Sequence, residues 1–202
     1  LLELGVDRIE VASARVSKGE FDAVQQIAHW AKENGMLSKV EVLSFVDNGR
    51  SLKWIADSGC KVQNLLTKGS LNHLKHQLKK SASEHFNEIA HNIEQAKDMS
   101  IATNVYLEDW SNGMKSSKKY TLEFIDFLAN QRVDRIMLPD TLGVLTPKES
   151  HDFVSEIRNL HPKLHLDFHA HNDYDLSVGN VIEGVRAGAD GIHLTVNGMG
   201  ER

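Results

Sequence analysis

Leu166-Asp167-Phe168-His169-Ala170-His171-Asn172-Asp173 is the stretch on which the fold turns. Leu166, Phe168 and Ala170 alternate with Asp167, His169 and His171, which is the period of a β-strand. Side chains two apart on a strand point the same way, so His169 and His171 project together from one face. Asn172 and Asp173 end the strand with turn chemistry. Two imidazoles side by side on a rigid strand tip make half of a divalent-metal site. They equally suit a half-buried strand whose histidines only hydrogen-bond, so the neighbouring strands have to decide.

Outward from this stretch the same pattern recurs with different letters. Short apolar runs predict strands at 7–12, 38–45, 61–67, 102–108, 135–140, 165–172 and 191–197. Amphipathic runs between them predict helices at 18–34, 50–58, 73–98, 118–131, 147–160 and 176–187. Thr146-Pro147-Lys148-Glu149 is a helix start, with Pro at the first helical position and Glu three residues after the Thr. Strict strand–helix alternation implies right-handed crossovers and a parallel sheet. Two folds fit: an open doubly wound sheet, or a (β/α)8 TIM barrel lacking one unit. No glycine-rich phosphate fingerprint follows the first strand, which counts against a dinucleotide-binding fold. Polar residues instead close strand after strand: Ser44, Thr67, Glu108-Asp109, Asp140-Thr141, His169 and His171, Asn197. In a barrel those ends gather at one mouth, where active sites lie, so the expected fold class is an α/β (β/α)8 barrel.

Composition narrows the function. The 202 residues fit a single domain, 41% are hydrophobic and 25% charged, and the net charge is -5. An acidic balance is against an extended nucleic-acid footprint, and no apolar run is long enough to span a membrane. The single Cys60 cannot form an internal disulfide, which fits a reducing, cytoplasmic setting, and it reads as a packing residue. His73, His76, His85 and His91 with Lys75, Lys79 and Lys80 read as a solvated helix face, because their spacing keeps no common stripe. Trp30 and Trp54 fall on helices and read as packing residues.

The strand at 102–108 carries Val105 and Leu107 on one face and Asn104, Tyr106 and Glu108 on the other. With the aliphatic face against outer helices, Glu108 comes to the mouth. At 7–12, Ile9 and Val11 face outward while Arg8 and Glu10 face inward, where an unpaired charge is very costly. Pro139 lacks a ladder donor, which a strand end tolerates. Asp140 suits a ligand or a cap, and Thr141 can offer a hydroxyl to a carboxylate. Gly198 and Gly200 allow close backbone approach to a ligand.

Taken in order, several pieces resemble one family. They are Ile9-Glu10-Val11, Asn104-Val105-Tyr106-Leu107-Glu108-Asp109, Leu138-Pro139-Asp140-Thr141-Leu142-Gly143, His169-Ala170-His171-Asn172-Asp173 and Asn197-Gly198-Met199-Gly200-Glu201-Arg202. The family is the (β/α)8 acyl-transferring synthases and lyases: isopropylmalate, homocitrate and citramalate synthases and hydroxymethylglutaryl-CoA lyase. Within it the chain is most similar to the citramalate synthases. The resemblance implies a divalent metal (zinc, manganese or magnesium) on His169 and His171, with Glu108 as the base that deprotonates acetyl-CoA. It implies that Thr141 binds the carboxylate of a 2-oxo acid. It implies that Leu43, Leu66 and Tyr106 line a side-chain pocket sized for pyruvate, as in isoleucine biosynthesis. A homodimer is usual in the family. The alternatives are another 2-oxo-acid acyltransferase such as 2-isopropylmalate synthase, a lyase of the same fold, or a non-catalytic metal- or effector-binding barrel. The family pattern also has an Arg-Asp pair on a strand before residue 7 and an Asn after residue 202. Residues 1–202 are therefore expected to be strands two to eight of the barrel. The first β/α unit, the last helix and the C-terminal lid or regulatory regions would then be absent, leaving the segment inactive alone.

Overall fold

The computed structural model describes residues 1–201. Among the described residues there are seven strands: β1 (Ile9–Ser13), β2 (Val40–Phe45), β3 (Val62–Lys68), β4 (Ala102–Glu108), β5 (Arg135–Asp140), β6 (Leu166–Ala170) and β7 (Gly191–Ile192). They follow one another in the sheet in chain order. β1–β2, β2–β3, β5–β6 and β6–β7 run parallel. A doubly wound sheet reverses its strand order at a switch point, and this one does not, which is the order of a (β/α)8 barrel. The helices are α1 (Lys18–Glu33), α2 (Arg50–Ser58), α3 (Leu71–His73), α4 (Ala82–Asp98), α5 (Trp110–Ser116), α6 (Lys118–Ala129), α7 (Pro147–Leu160) and α8 (Ser177–Arg186). Among the described residues no helix is long and apolar enough to cross a membrane.

The chain divides into two compact units, the first comprising 1–66 and 87–104, the second 67–86 and the chain from Val105 onward. The first unit has an aliphatic core. Val40 and Val42 of β2 pack with Val24 and Ala28 of α1, Leu52 and Ile55 of α2, and Cys60. Ser17 caps α1 by accepting the Glu20 N–H at 3.1 Å. On the opposite face of β2 and β3, the pairs Glu10–Glu41 and Leu43–Asn64 stand side by side. There the Asn64 amide donates to Glu10 at 2.5 Å and Glu41 at 3.0 Å, and the Asn104 amide donates back to Asn64 at 2.8 Å. Glu10 is exposed, and the buried Glu41 is met by the Asn64 amide and by Arg8 at 3.7 Å, so its charge is not buried unpaired. Ser44 lies on the other face: its hydroxyl donates to Gln63 at 2.8 Å, and the Gln63 amide donates to Asn92 of α4. Ser44 therefore belongs to the helix-facing layer rather than to the polar strand tips expected at the mouth.

The second unit has an aromatic core. Phe86 stacks on Tyr120, Phe124 and Phe127, while Trp110 meets Phe153 and Phe168 edge-on. Every residue of β5 is buried. Thr146 and Glu149 form the expected capping box of α7.

Three local expectations are corrected. The helix expected over 73–98 is interrupted: a π-helical turn at Leu74–Leu78 ends on Lys79 at φ 57°, and α4 starts afresh. The restart is a second reciprocal cap, with Glu84 accepting from the Ser81 N–H and Ser81 accepting from the Glu84 N–H. His85 is consequently not on a solvated face but 1% exposed, its Nε2 accepting the Lys68 N–H at 3.2 Å. Finally, β6 stops at Ala170 and β7 spans two residues, so His171 and Asn197 lie beyond the strands.

Candidate active site

The second unit carries most of the residues that the sequence singled out. His169 is the penultimate residue of β6, its ring half-buried, and His171 follows immediately after the strand. Their Nε2 atoms converge to 3.3 Å. On the other side of His169, its Nδ1 lies 3.0 Å from Nδ1 of His193. The Tyr106 hydroxyl reaches the same His193 nitrogen at 3.0 Å, and the Tyr106 ring stands edge-on to His169 at 6.0 Å. Burial first, and then the neighbouring His193 and His171, push the pKa of His169 down to about 3. His169 is therefore neutral at ordinary pH and keeps a nitrogen lone pair to offer.

Asp167 shares the inward face of β6. It is 2% exposed and takes three donors: Arg135 of β5 at 2.5 Å, His165 at 3.0 Å and His193 at 3.4 Å. Burial alone would raise its pKa, but the hydrogen bond from His193 and the charges of Arg135 and His165 outweigh that and lower it. Room for the carboxylate comes from the adjoining strand. Gly191 is paired with Asp167, and a Cβ there would lie 2.2 Å from Oδ1.

Glu108 ends β4 two residues beyond Tyr106, on the same face of the strand. Its carboxylate forms a short ion pair with Lys68 of β3, and His73 Nδ1 stands 3.8 Å away. Asp109 follows at φ 64° and is fully engaged by the Ser70 hydroxyl at 2.6 Å and the Asn112 amide at 2.8 Å. The Thr141 hydroxyl accepts the Asp109 N–H at 2.8 Å, which ties the ends of β4 and β5 together. Asp140, left open as ligand or cap, is a cap: its two oxygens accept the N–H groups of Val144 and Leu145 at 3.1 and 3.0 Å. Thr67 spends its hydroxyl on the Tyr106 carbonyl. Of the pocket residues, Tyr106 is buried in this unit, while Leu43 and Leu66 belong to the first unit, half-buried on the same face of β2 and β3 as Asn64. Asn197, Gly198 and Gly200 are exposed, and the Arg202 end of that motif lies outside the described residues.

The pair His169–His171 fits a metal by donor chemistry and by spacing. Two nitrogens each about 2.0–2.1 Å from a tetrahedral ion stand roughly 3.3 Å apart, and the Nε2 separation here is 3.3 Å. Among the described residues no group of three or more His, Cys, Asp or Glu side chains is arranged to hold an ion, so the pair supplies a half-site. His193, Asp167, Arg135 and Lys68 were not singled out from the sequence. Asp167 sits in the same alternating row as the two histidines, and that parity was the available signal.

The strand order of a (β/α)8 barrel thus carries two imidazoles at the end of β6 and a carboxylate at the end of β4. The HMGL-like family matches residues 1–202, and the chain belongs to that family. It is 33% identical to the 2-isopropylmalate synthase of Sulfurisphaera tokodaii over 203 residues, which is 100% of this chain and 50% of that protein. It is 32% identical to the "Putative (R)-citramalate synthase CimA" of Methanothermobacter thermautotrophicus, covering 98% of this chain and 38% of that one. The hydroxymethylglutaryl-CoA lyase of Pseudomonas aeruginosa has the same fold, with a TM-score of 0.72 at 16% identity over 98% of this chain and 67% of that one. The chain thus spans about half the length of the curated relatives it matches.

Proposed function

We propose that this chain is the catalytic barrel core of a 2-oxo-acid acyltransferase that joins acetyl-CoA to pyruvate, giving citramalate. The observation that carries the reading is the convergence of the Nε2 atoms of His169 and His171, 3.3 Å apart, both rings half-buried. These two residues would hold a divalent ion (zinc, manganese or magnesium). The chemistry such an ion supplies is Lewis-acid polarisation of the ketone. Glu108 removes a methyl proton from acetyl-CoA, and the resulting carbon nucleophile attacks the ketone. Water then cleaves the thioester, releasing CoA and the hydroxy diacid. Thr141 binds the oxo-acid carboxylate. Leu43, Leu66 and Tyr106 limit the side chain to about a methyl, since overpacking by a larger group costs roughly 1–3 kcal/mol. A cytoplasmic homodimer completes the proposal.

A second reading, 2-isopropylmalate synthase, is favoured by the relative of that name, which is 33% identical over the whole of this chain. Pyruvate, 3-methyl-2-oxobutanoate and 2-oxoglutarate, each offered with acetyl-CoA to the full-length protein, separate the two. Release of free CoA with pyruvate is the expected result, and a preference for 3-methyl-2-oxobutanoate would replace the first reading with the second. Glu108→Gln should abolish turnover while metal content stays unchanged; a variant that still turns over removes Glu108 as the base.

A further inference from the structure

Four groups stand in a row beside the proposed metal site. His171 Nε2 is 3.3 Å from His169 Nε2, His169 Nδ1 is 3.0 Å from His193 Nδ1, and His193 Nε2 is 3.4 Å from Asp167 Oδ2. The row has a direction, because its last member is a carboxylate held by Arg135 and His165, and an ionised carboxylate only accepts. His193 must therefore carry its proton on Nε2, facing Asp167. With only that proton, the ring presents the single lone pair of Nδ1 toward His169, and the Tyr106 hydroxyl lies at the same nitrogen. That arrangement calls for the His169 proton on Nδ1, facing His193. That leaves Nε2 of His169 bare, on the side of His171. The opposite tautomer of His169 would set two lone pairs against each other at 3.0 Å and put a proton where a metal would bind.

We propose that His193 is a positioning residue, which with Asp167 locks His169 in the tautomer whose Nε2 is free to ligate. The proposal rests on the metal-site reading given above. Ring orientation and basicity of metal-bound histidines are commonly set through the second nitrogen, by a carboxylate or carbonyl. Here an imidazole is inserted between carboxylate and ligand. β7 supplies it: Gly191 makes room for Asp167, and two residues on, His193 lies on the same face and donates its backbone N–H to the Phe168 carbonyl at 3.1 Å.

The test begins with the full-length, metal-free protein, uniformly labelled with nitrogen-15. Two-bond proton–nitrogen correlations should show His169 with its proton on Nδ1; a proton on Nε2 would overturn the proposal without any variant being made. Next, Co²⁺ is titrated and followed by its visible absorption. His193→Leu should bind about 10–100-fold more weakly than wild type. His193→Gln should stay within about threefold, because its carbonyl accepts and its amide donates as His193 does. Equal affinity in His193→Leu and wild type overturns the proposal. Absence of Co²⁺ binding in wild type, with the Nδ1–H tautomer present, removes the metal-site reading and leaves the tautomer assignment standing.

Discussion

Replacing Gly191 by alanine probes the crowding around Asp167. The added Cβ would sit 2.2 Å from Oδ1 and 3.0 Å from Cγ of Asp167. Ordinary contact needs about 3.5 Å, so something must move by more than about 1 Å. The carboxylate has no easy retreat, since Arg135 and His165 hold it at 2.5 and 3.0 Å. Losing one buried, charge-assisted hydrogen bond costs about 1.5–3 kcal/mol, and overpacking strain is of similar size. The expected destabilisation is about 3 kcal/mol. The φ angle of Gly191 is not among the positive ones, so the backbone itself accepts alanine and the clash is isolated. Gly19 in the first turn of α1 is the internal control: a Cβ there meets only Ser17 Oγ at 3.9 Å. Gly19→Ala should stabilise by about 0.5–1 kcal/mol. Urea and thermal unfolding of the full-length variants measure both. A Gly191→Ala protein within about 0.5 kcal/mol of wild type would refute the packing argument.

His85 makes stability depend on pH. Burial, with Lys80 and Lys68 nearby, lowers its pKa from 6.5 to about 4, so the unfolded chain binds the extra proton first as pH falls. The stabilisation is complete above about pH 6.5 and drains away toward pH 4, by about 3 kcal/mol in all. His85→Gln keeps an acceptor for the Lys68 N–H and should flatten the stability profile across that window; an unaltered slope would exclude His85 as its source. Cys60 is fully buried and burial raises its thiol pKa, so a thiol reagent should modify native protein only as fast as it unfolds. Prompt labelling under native conditions would contradict that.

Elements with an unbroken pattern were legible from sequence. β4 begins and ends with its alternation, β5 matches its short apolar run, and α7 starts on its Thr146–Glu149 box. Residues 73–98 look like one helix by apolar spacing, yet Ser81 and Glu84 cap a second start, a local signal overridden by the length of the pattern. α5 was hidden because Asn112-Gly113 resembles a turn. Gly113 is there for packing, since a Cβ would come 2.3 Å from the Gly69 carbonyl oxygen. The histidine pair was legible because its spacing is local. His193 and Arg135 were not, because register between β5, β6 and β7 is a tertiary fact that no single strand encodes. Asp167 was in view, in the same row as the histidines, and its use became apparent only with its partners.

β7 pairs with β6 through only two residues, Gly191 and Ile192, and His193 hangs from the next position. Unzipping so few rungs demands far less free energy than unfolding the molecule, and local openings of this kind have their own equilibrium. Each such excursion would carry the imidazole of His193 away from His169 while the deeply buried β5 stayed closed. Amide exchange at Ile192 and His193 would report such an opening before any global melt.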